Sequence, residues 1–185
     1  MKLCYVNINT EEATKPFFSL IDKVFQQVAR PDTEIGIKSV NPGLKRITDG
    51  HPYFFFLNKR SIVERIIEAE KEGYDAAMVG CFLDPGVSEA RGIVNIPVVG
   101  IAESSMHLAC LLGRKFAIVS PDSPSVISET EEEIRFHGLQ DRTIVRPVRG
   151  ISMSVEDIFL KGGLQNPKPI SDNIVQKAKE CVEEG

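Results

Sequence analysis

The sequence lacks the features that suit a protein to a nucleic-acid or membrane partner. Its 22 Lys and Arg residues are outnumbered by 26 Asp and Glu residues, which gives a net charge of −4, and the basic residues form no block. Nucleic acids and anionic membrane surfaces attract proteins through clustered positive charge, so we expect neither as a partner. No apolar run approaches the roughly 18 residues that a membrane-spanning helix needs.

Cysteine is also scarce. The 4 cysteines are scattered, at Cys4, Cys81, Cys110 and Cys181. They form no CxxC pair and no Cys/His spacing typical of a metal site, so we expect no bound metal. The opening residues, MKLCYVNINT, lack the apolar core of a secretory signal. We therefore expect reduced thiols in a cytoplasmic protein.

The composition is otherwise that of an ordinary globular protein, with 42% hydrophobic and 26% charged residues. Strand-like and helix-like segments alternate along the chain. We predict strands at 2–8, 34–40, 75–81, 96–101, 115–120 and 142–148, and helices at 16–29, 62–72, 104–113, 125–137 and 170–184. Buried strands that alternate with helices are typical of an α/β fold in which a parallel sheet is flanked by helices.

One segment does not follow this alternation of strands and helices. Residues 41–58 look like a loop and contain the aromatic cluster YFFF at 53–56. Ser61 and Glu64 form a capping-box pattern, which predicts that the following helix begins there. We expect the aromatic cluster to pack in the core or at a subunit interface, with an apolar substrate pocket as the alternative.

An internal similarity suggests two related lobes. The segment IVERIIEAEKEG at 62–73 aligns without gaps with IVQKAKECVEEG at 174–185. We therefore predict two similar Rossmann-like lobes, at 1–101 and 102–185. The first copy is followed by a strand and Cys81. If the halves are repeats, the corresponding strand and cysteine belong just past Gly185, and we expect the second lobe to be incomplete.

Cys81 lies at a chemically favourable position, in the stretch VGCFLDPG at 79–86. Ligands of open α/β sheets bind at the carboxyl ends of the strands, and Cys81 lies at such an end. Asp84 and Pro85 look like the N-cap and first residue of a helix, whose positive end would favour a thiolate. The alternative is that Cys81 is a small buried core residue, as cysteines often are.

Other polar residues follow predicted strands at the same kind of position. They are Asn9, Thr10, Glu103, Ser104, Ser105 and Ser120. Such side chains, together with free helix N–H groups, can bind an amide or carboxylate and hold a developing oxyanion. Each of them alone could serve simply as a helix cap. Because all of them are predicted to crowd one rim, we take them as candidate substrate-binding residues.

Two segments resemble the aspartate/glutamate/hydantoin racemase superfamily, in particular its hydantoin and allantoin racemase branch. They are EGYDAAMVGCFLDPGVSEAR at 72–91 and IPVVGIAESSMHLACLLGRKFAIVS at 96–120. NINT at 7–10 resembles the family's Asn-Pro-Asn-Thr stretch. The resemblance implies a cofactor-independent racemase or epimerase of a hydantoin-like or amino-acid-derived substrate. In that family two cysteines face each other across the substrate. Cys81 matches the first, Asn9, Ser104 and Ser105 match substrate contacts, and the second would lie past Gly185.

Two alternatives remain open at this point. The chain could be a catalytically inactive ligand-binding or subunit protein that lacks the second cysteine. It could also be a relative with one-cysteine chemistry, such as a decarboxylase or a cis–trans isomerase. In each case we expect a small-molecule ligand, and we expect a homo-oligomer because closed homo-oligomers are common among soluble proteins.

Overall fold

The computed structural model describes residues 1–43 and 52–185. These residues divide into two compact units, one of residues 1–43 and 53–101 and the other of residues 52 and 102–185. The elements of the first unit are β1 (Lys2–Asn7), α1 (Glu11–Val28), β2 (Glu34–Ser39), α2 (Pro52–Lys71), β3 (Ala76–Val79), α3 (Val87–Arg91) and β4 (Val98–Gly100). Helix α4 (Ile101–Leu112) follows β4 without a break. None of the helices in the described ranges is long and apolar enough to cross a membrane.

The first unit is built on a parallel four-stranded sheet with the order β2-β1-β3-β4. Val6 of β1 is level with Val79 of β3, and Val79 is level with Gly100 of β4. The chain therefore adds β2 on one side of β1, and adds β3 and then β4 on the other side. The carboxyl ends of β1 and β3 form the switch point at which open α/β sheets bind ligands. The predicted α/β fold with a parallel sheet is confirmed.

Side-chain alternation explains why this sheet forms. Alternate strand residues such as Val6, Ala77 and Val79 are fully buried on one face. They share a core cluster with Ile62 and Ile66 of α2. On β1, Tyr5 meets Phe25 of α1 edge to face, with ring centroids 5.3 Å apart. Helices thus pack against the sheet and hold its carboxyl edge in place.

The predicted loop at 41–58 is wrong for part of its length. Helix α2 begins at Pro52, so the YFFF cluster lies in its first turns, while residues 44–51 lie outside the described ranges. Ser61 is in the middle of α2, and its hydroxyl donates to the Pro42 carbonyl oxygen at 2.7 Å. Tyr53 and Phe56 are 59% and 71% exposed, so these two rings are outside the core of this chain. The helix extends past the capping signal because the packing of its buried stripe outweighs a local cap preference.

Several other element boundaries also differ from the predictions. Helix α1 begins at Glu11 rather than at Pro16, with Thr10 as its N-cap residue. Helix α4 begins at Ile101 rather than at residue 104. A short helix α6 (Val155–Phe159) was not predicted, although Ser154 and Asp157 form a capping box in which Asp replaces the usual Glu or Gln.

The second unit contains a parallel strand pair. Its elements are β5 (Phe116–Ser120), α5 (Pro124–Phe136), a 3-10 turn at Gln140–Arg142, β6 (Thr143–Gly150), α6 and α7 (Lys168–Glu183). Strands β5 and β6 pair directly, and α7 packs against both. Its buried apolar residues include Met106, Ile134, Ile144, Val148, Ile151, Val155, Ile158 and Cys181. The connection from β5 through α5 to β6 is again a parallel β-α-β unit.

Candidate active site at the carboxyl edge of the first sheet

Cys81 lies at the switch point of the first sheet, just past the last residue of β3. Because Val6 and Val79 are level, the chain leaving β1 at Ile8 and the chain leaving β3 at Cys81 emerge side by side. Cys81 is half-buried and packs with Ile8 against the edge of the core cluster. The thiol is thus neither sealed in the core nor fully exposed, a location where it can meet a ligand.

The turn after Cys81 differs from the prediction. Helix α3 begins only at Val87, and Gly86, with φ of 84°, is its N-cap residue, so Asp84 and Pro85 are not its N-cap and first residue. The helix has 5 residues, little more than one turn, and its support of a thiolate stays a prediction. The predicted N-cap at Asp84 is wrong. The cause is the left-handed backbone at Asp84 and Gly86, which delays the start of the helix.

Tyr5 supports the peptide that carries Cys81. Its hydroxyl donates a weak hydrogen bond to the Gly80 carbonyl oxygen at 3.5 Å. Burial raises the pKa of Tyr5 to about 12, and the negative charge of a Cys81 thiolate contributes further in the same direction. The phenol therefore remains protonated at neutral pH and keeps its hydrogen available for bonding.

Amide side chains hold the backbone that leaves β1. Asn7 is 4% exposed, and its Nδ2 donates to the Asn9 carbonyl oxygen at 2.8 Å, to Thr14 Oγ1 at 2.8 Å and to Ser39 Oγ at 3.1 Å. Asn58 of α2, also 4% exposed, donates from Nδ2 to the Ile8 carbonyl oxygen. Buried amides that are bonded in this way fix the path of the loop from Ile8 to Thr10.

The predicted site residues of the first unit lie at this edge. Asn9 is in the loop after β1, where its N–H donates to Asn7 Oδ1 at 3.4 Å. Thr10 is the N-cap residue of α1, and its hydroxyl oxygen has no hydrogen-bond partner within the described ranges. Asn9, Thr10 and Cys81 therefore all follow the adjacent strands β1 and β3.

The other predicted site residues belong to the second unit. Glu103, Ser104 and Ser105 lie in the first turns of α4, inside the helix rather than at its cap, and Ser105 Oγ donates to the Ala102 carbonyl oxygen at 3.3 Å. Ser120 is the last residue of β5, level with Gly150 of β6, and is buried. That all six residues line one rim with Cys81 stays a prediction.

The sequence did not reveal three residues that shape this edge. Asn58 was hidden because its segment was predicted to be a loop. Tyr5 lies between Cys4 and Val6 in an apolar strand and is buried like them, so it looks like an ordinary core residue. Asn7 ends β1 inside the NINT stretch, and a buried asparagine at a strand end was the signal that could have identified it.

The remaining cysteines differ from Cys81 in their surroundings. Cys4 is fully buried in β1, and burial raises its pKa to about 11. Cys110 is half-buried on α4, and Cys181 is buried on α7. Within residues 1–43 and 52–185, no cysteine other than Cys81 follows a strand end, and no group of three or more His, Cys, Asp or Glu side chains is placed to hold a metal ion.

Comparison with known proteins agrees with this architecture. The profile of the Asp/Glu/Hydantoin racemase family matches residues 5–185. A hydantoin racemase of Pseudomonas sp. (strain NS671) is 32% identical over 184 residues, which are 100% of this chain and 69% of that protein. A hydantoin racemase of Paenarthrobacter aurescens is 28% identical over 187 residues, covering 100% of this chain and 73% of that protein. The structure of an allantoin racemase from Klebsiella pneumoniae superposes with a TM-score of 0.81 at 25% identity, over 98% of this chain and 70% of that one.

The fold and these similarities define an α/β enzyme of the isomerase class, as the sequence predicted. More specifically, the chain belongs to the Asp/Glu/hydantoin racemase family, and the resemblance first seen at 72–91 and 96–120 is confirmed over nearly the whole chain.

Proposed function

We propose that this protein racemises a hydantoin-like cyclic ureide, with the Cys81 thiolate as a base that removes the proton from the substrate's stereocentre. The observation that carries the proposal is the position of Cys81, half-buried at the β1–β3 switch point of a racemase-family sheet. Relatives named hydantoin racemase and a structural neighbour named allantoin racemase support this substrate class, since both ligands contain a five-membered ureide ring.

The chemistry follows from the substrate's own structure. When the thiolate takes the proton from the stereocentre, the electron pair of the broken C–H bond moves toward the adjacent ring carbonyl and forms an enolate. Return of a proton to the opposite face restores the C–H bond and inverts the centre. The ring carbonyl acts as the electron sink, so we propose a reaction without a cofactor. N–H and hydroxyl donors near the enolate oxygen would lower the barrier.

We propose Asn9, Thr10, Glu103, Ser104, Ser105 and Ser120 as the residues that contact the substrate. The support for Asn9 and Thr10 is that both follow β1, the strand beside β3, in a loop held by the amides of Asn7 and Asn58. A preorganised loop fixes polar groups without a reorganisation cost at the moment of reaction. The group that protonates the opposite face is not assigned by this proposal.

The experiment compares wild-type protein with Cys81→Ala. An enantiopure 5-substituted hydantoin is incubated in deuterated water, and optical rotation and deuterium incorporation at the stereocentre are followed against a protein-free sample. We expect the wild-type protein to accelerate both and Cys81→Ala to lose both. Cys110→Ala is the matched control, because it removes a half-buried thiol from α4 and should retain activity.

The two alternatives give different results in this assay. Exchange of the proton without inversion would indicate one working base and a one-cysteine reaction. If the wild-type protein catalyses neither exchange nor inversion, the proposal is contradicted and a ligand-binding role is favoured. Release of carbon dioxide from a malonate-type substrate would instead indicate a decarboxylase.

A further inference from the structure

Asp84 has an unusual backbone conformation beside the candidate catalytic thiol. Its φ of 42° lies in the left-handed region that residues other than glycine rarely adopt. Its N–H donates to the Cys81 carbonyl oxygen at 3.1 Å, and its carbonyl oxygen accepts from the Val87 N–H at 3.3 Å. A strained backbone of this kind persists only where other contacts compensate for it, and such residues cluster at functional sites.

The compensating contact is made by the Asp84 side chain. Its carboxylate lies directly against Gly100, the last residue of β4, in the space that a Cβ on Gly100 would occupy. Gly100 is followed by Ile101, the first residue of α4. Asp84 therefore links the turn that carries Cys81 to the junction of β4 and α4.

We propose that Asp84 is a positioning residue for the Cys81 thiol, and that the contact of its carboxylate with Gly100 is what holds the thiol at the rim. This inference rests on the proposed function, in which Cys81 moves the substrate proton. One end of the Cys81 turn is fixed by β3. The Asp84–Gly100 contact fixes the other end. Proton transfer needs the sulfur within hydrogen-bond reach of the substrate C–H, so a loosened turn slows the reaction even if the thiol is intact.

Three variants distinguish the effects of removing the Asp84 carboxylate, of filling its space beside Gly100 and of removing only its charge. Asp84→Gly removes the carboxylate and relieves the left-handed strain, Gly100→Ala keeps the carboxylate but fills its space, and Asp84→Asn keeps the shape without the charge. We expect kcat to fall by at least about tenfold in the first two, with KM changed by less than about threefold, because the loss is in positioning. Asp84→Asn should stay within about threefold of wild type, since an amide of the same shape keeps the contact.

A second measurement does not depend on racemase activity. Iodoacetamide labelling of each cysteine is followed by mass spectrometry of the peptides. We expect Cys81 to react at least about threefold faster in Asp84→Gly and Gly100→Ala, because a released turn exposes the half-buried sulfur more often. The buried Cys4 and Cys181 should stay protected in both variants. A more reactive thiol with slower turnover is not expected from a residue that only stabilises the fold.

Unchanged labelling of Cys81 in Asp84→Gly would overturn the proposal, whether or not the protein racemises hydantoins. If Gly100→Ala does not fold, Asp84→Gly decides alone, because it introduces no steric clash. If kcat falls as far in Asp84→Asn as in Asp84→Gly, the charge of the carboxylate matters rather than its contact with Gly100. That result would also overturn the proposal. Absence of both inversion and exchange in the wild-type protein would refute the proposed function. The labelling result would then decide by itself whether Asp84 positions the Cys81 thiol.

Discussion

The phenol ring of Tyr5 on β1 occupies the space that a side chain on Gly80 would need at the end of β3. Gly80 directly precedes Cys81, and its carbonyl oxygen accepts the Tyr5 hydroxyl hydrogen bond. The absence of a side chain at residue 80 therefore lets an aromatic residue of the adjacent strand buttress the peptide that carries the thiol.

We predict that Gly80→Ala destabilises the protein by about 1–3 kcal/mol, because the added methyl group collides with the Tyr5 ring in a packed region. The free energy of unfolding measured in urea checks this. Gly92→Ala is the matched control, because a Cβ there meets only an ordinary contact with the Glu89 carbonyl oxygen at 3.5 Å. Equal stability of the two variants would contradict the steric role assigned to Gly80.

The buried amide of Asn7 is predicted to stabilise the site loop. Asn7→Ala should lower the free energy of unfolding by about 1–3 kcal/mol, because the oxygens of Asn9, Thr14 and Ser39 lose a buried donor. Asn95→Ala, which changes an exposed asparagine, serves as the control. The prediction fails if the two substitutions shift the urea midpoint by the same amount.

Tyr5 gives a prediction about alkaline pH. Burial raises its pKa from 10.0 to about 12 in the folded protein, so the unfolded chain releases this proton first as the pH rises. The contribution of Tyr5 to stability is constant below pH 10, falls between about pH 10 and about pH 12, and amounts to at most about 2–3 kcal/mol. Urea unfolding of wild type and Tyr5→Phe across this range measures it. We expect a shallower decline in Tyr5→Phe, and parallel curves would argue against the raised pKa.

In the second unit, Arg142 is predicted to stabilise the end of α4. Its guanidinium donates to the carbonyl oxygens of Cys110 at 2.8 Å, Gly113 at 3.0 Å and Arg114 at 3.0 Å. These are carbonyls at the helix C-terminus, where a cation is favoured. We expect Arg142→Gln to cost about 1–3 kcal/mol of unfolding free energy. Arg114→Gln, at an exposed neighbouring arginine, should cost much less, and the reverse order would refute the capping role.

Local patterns were enough to predict most of the elements, and they failed where distant contacts intervened. The apolar strand around Ala77 and the helix at 170–184 were predicted correctly because such patterns depend only on neighbouring residues. The start of α2 was missed because Ser61 looks like a cap, whereas the structure uses its hydroxyl to bind Pro42 across the chain. Asp84 was predicted to be an N-cap for a similar reason, and its carboxylate instead rests on Gly100.

The sequence by itself determined that this is an α/β protein of the racemase family with a cysteine at the end of a buried strand. Strand periodicity and the VGCFLDPG stretch could be recognised because they depend only on residues that are neighbours in the chain. Only the tertiary structure decided that β1 lies beside β3, that Asn7 and Asn58 hold the adjacent loop, and that Asp84 reaches Gly100. The order of the strands and the partners that each side chain contacts depend on packing between segments far apart in the chain. No local sequence pattern encodes such packing.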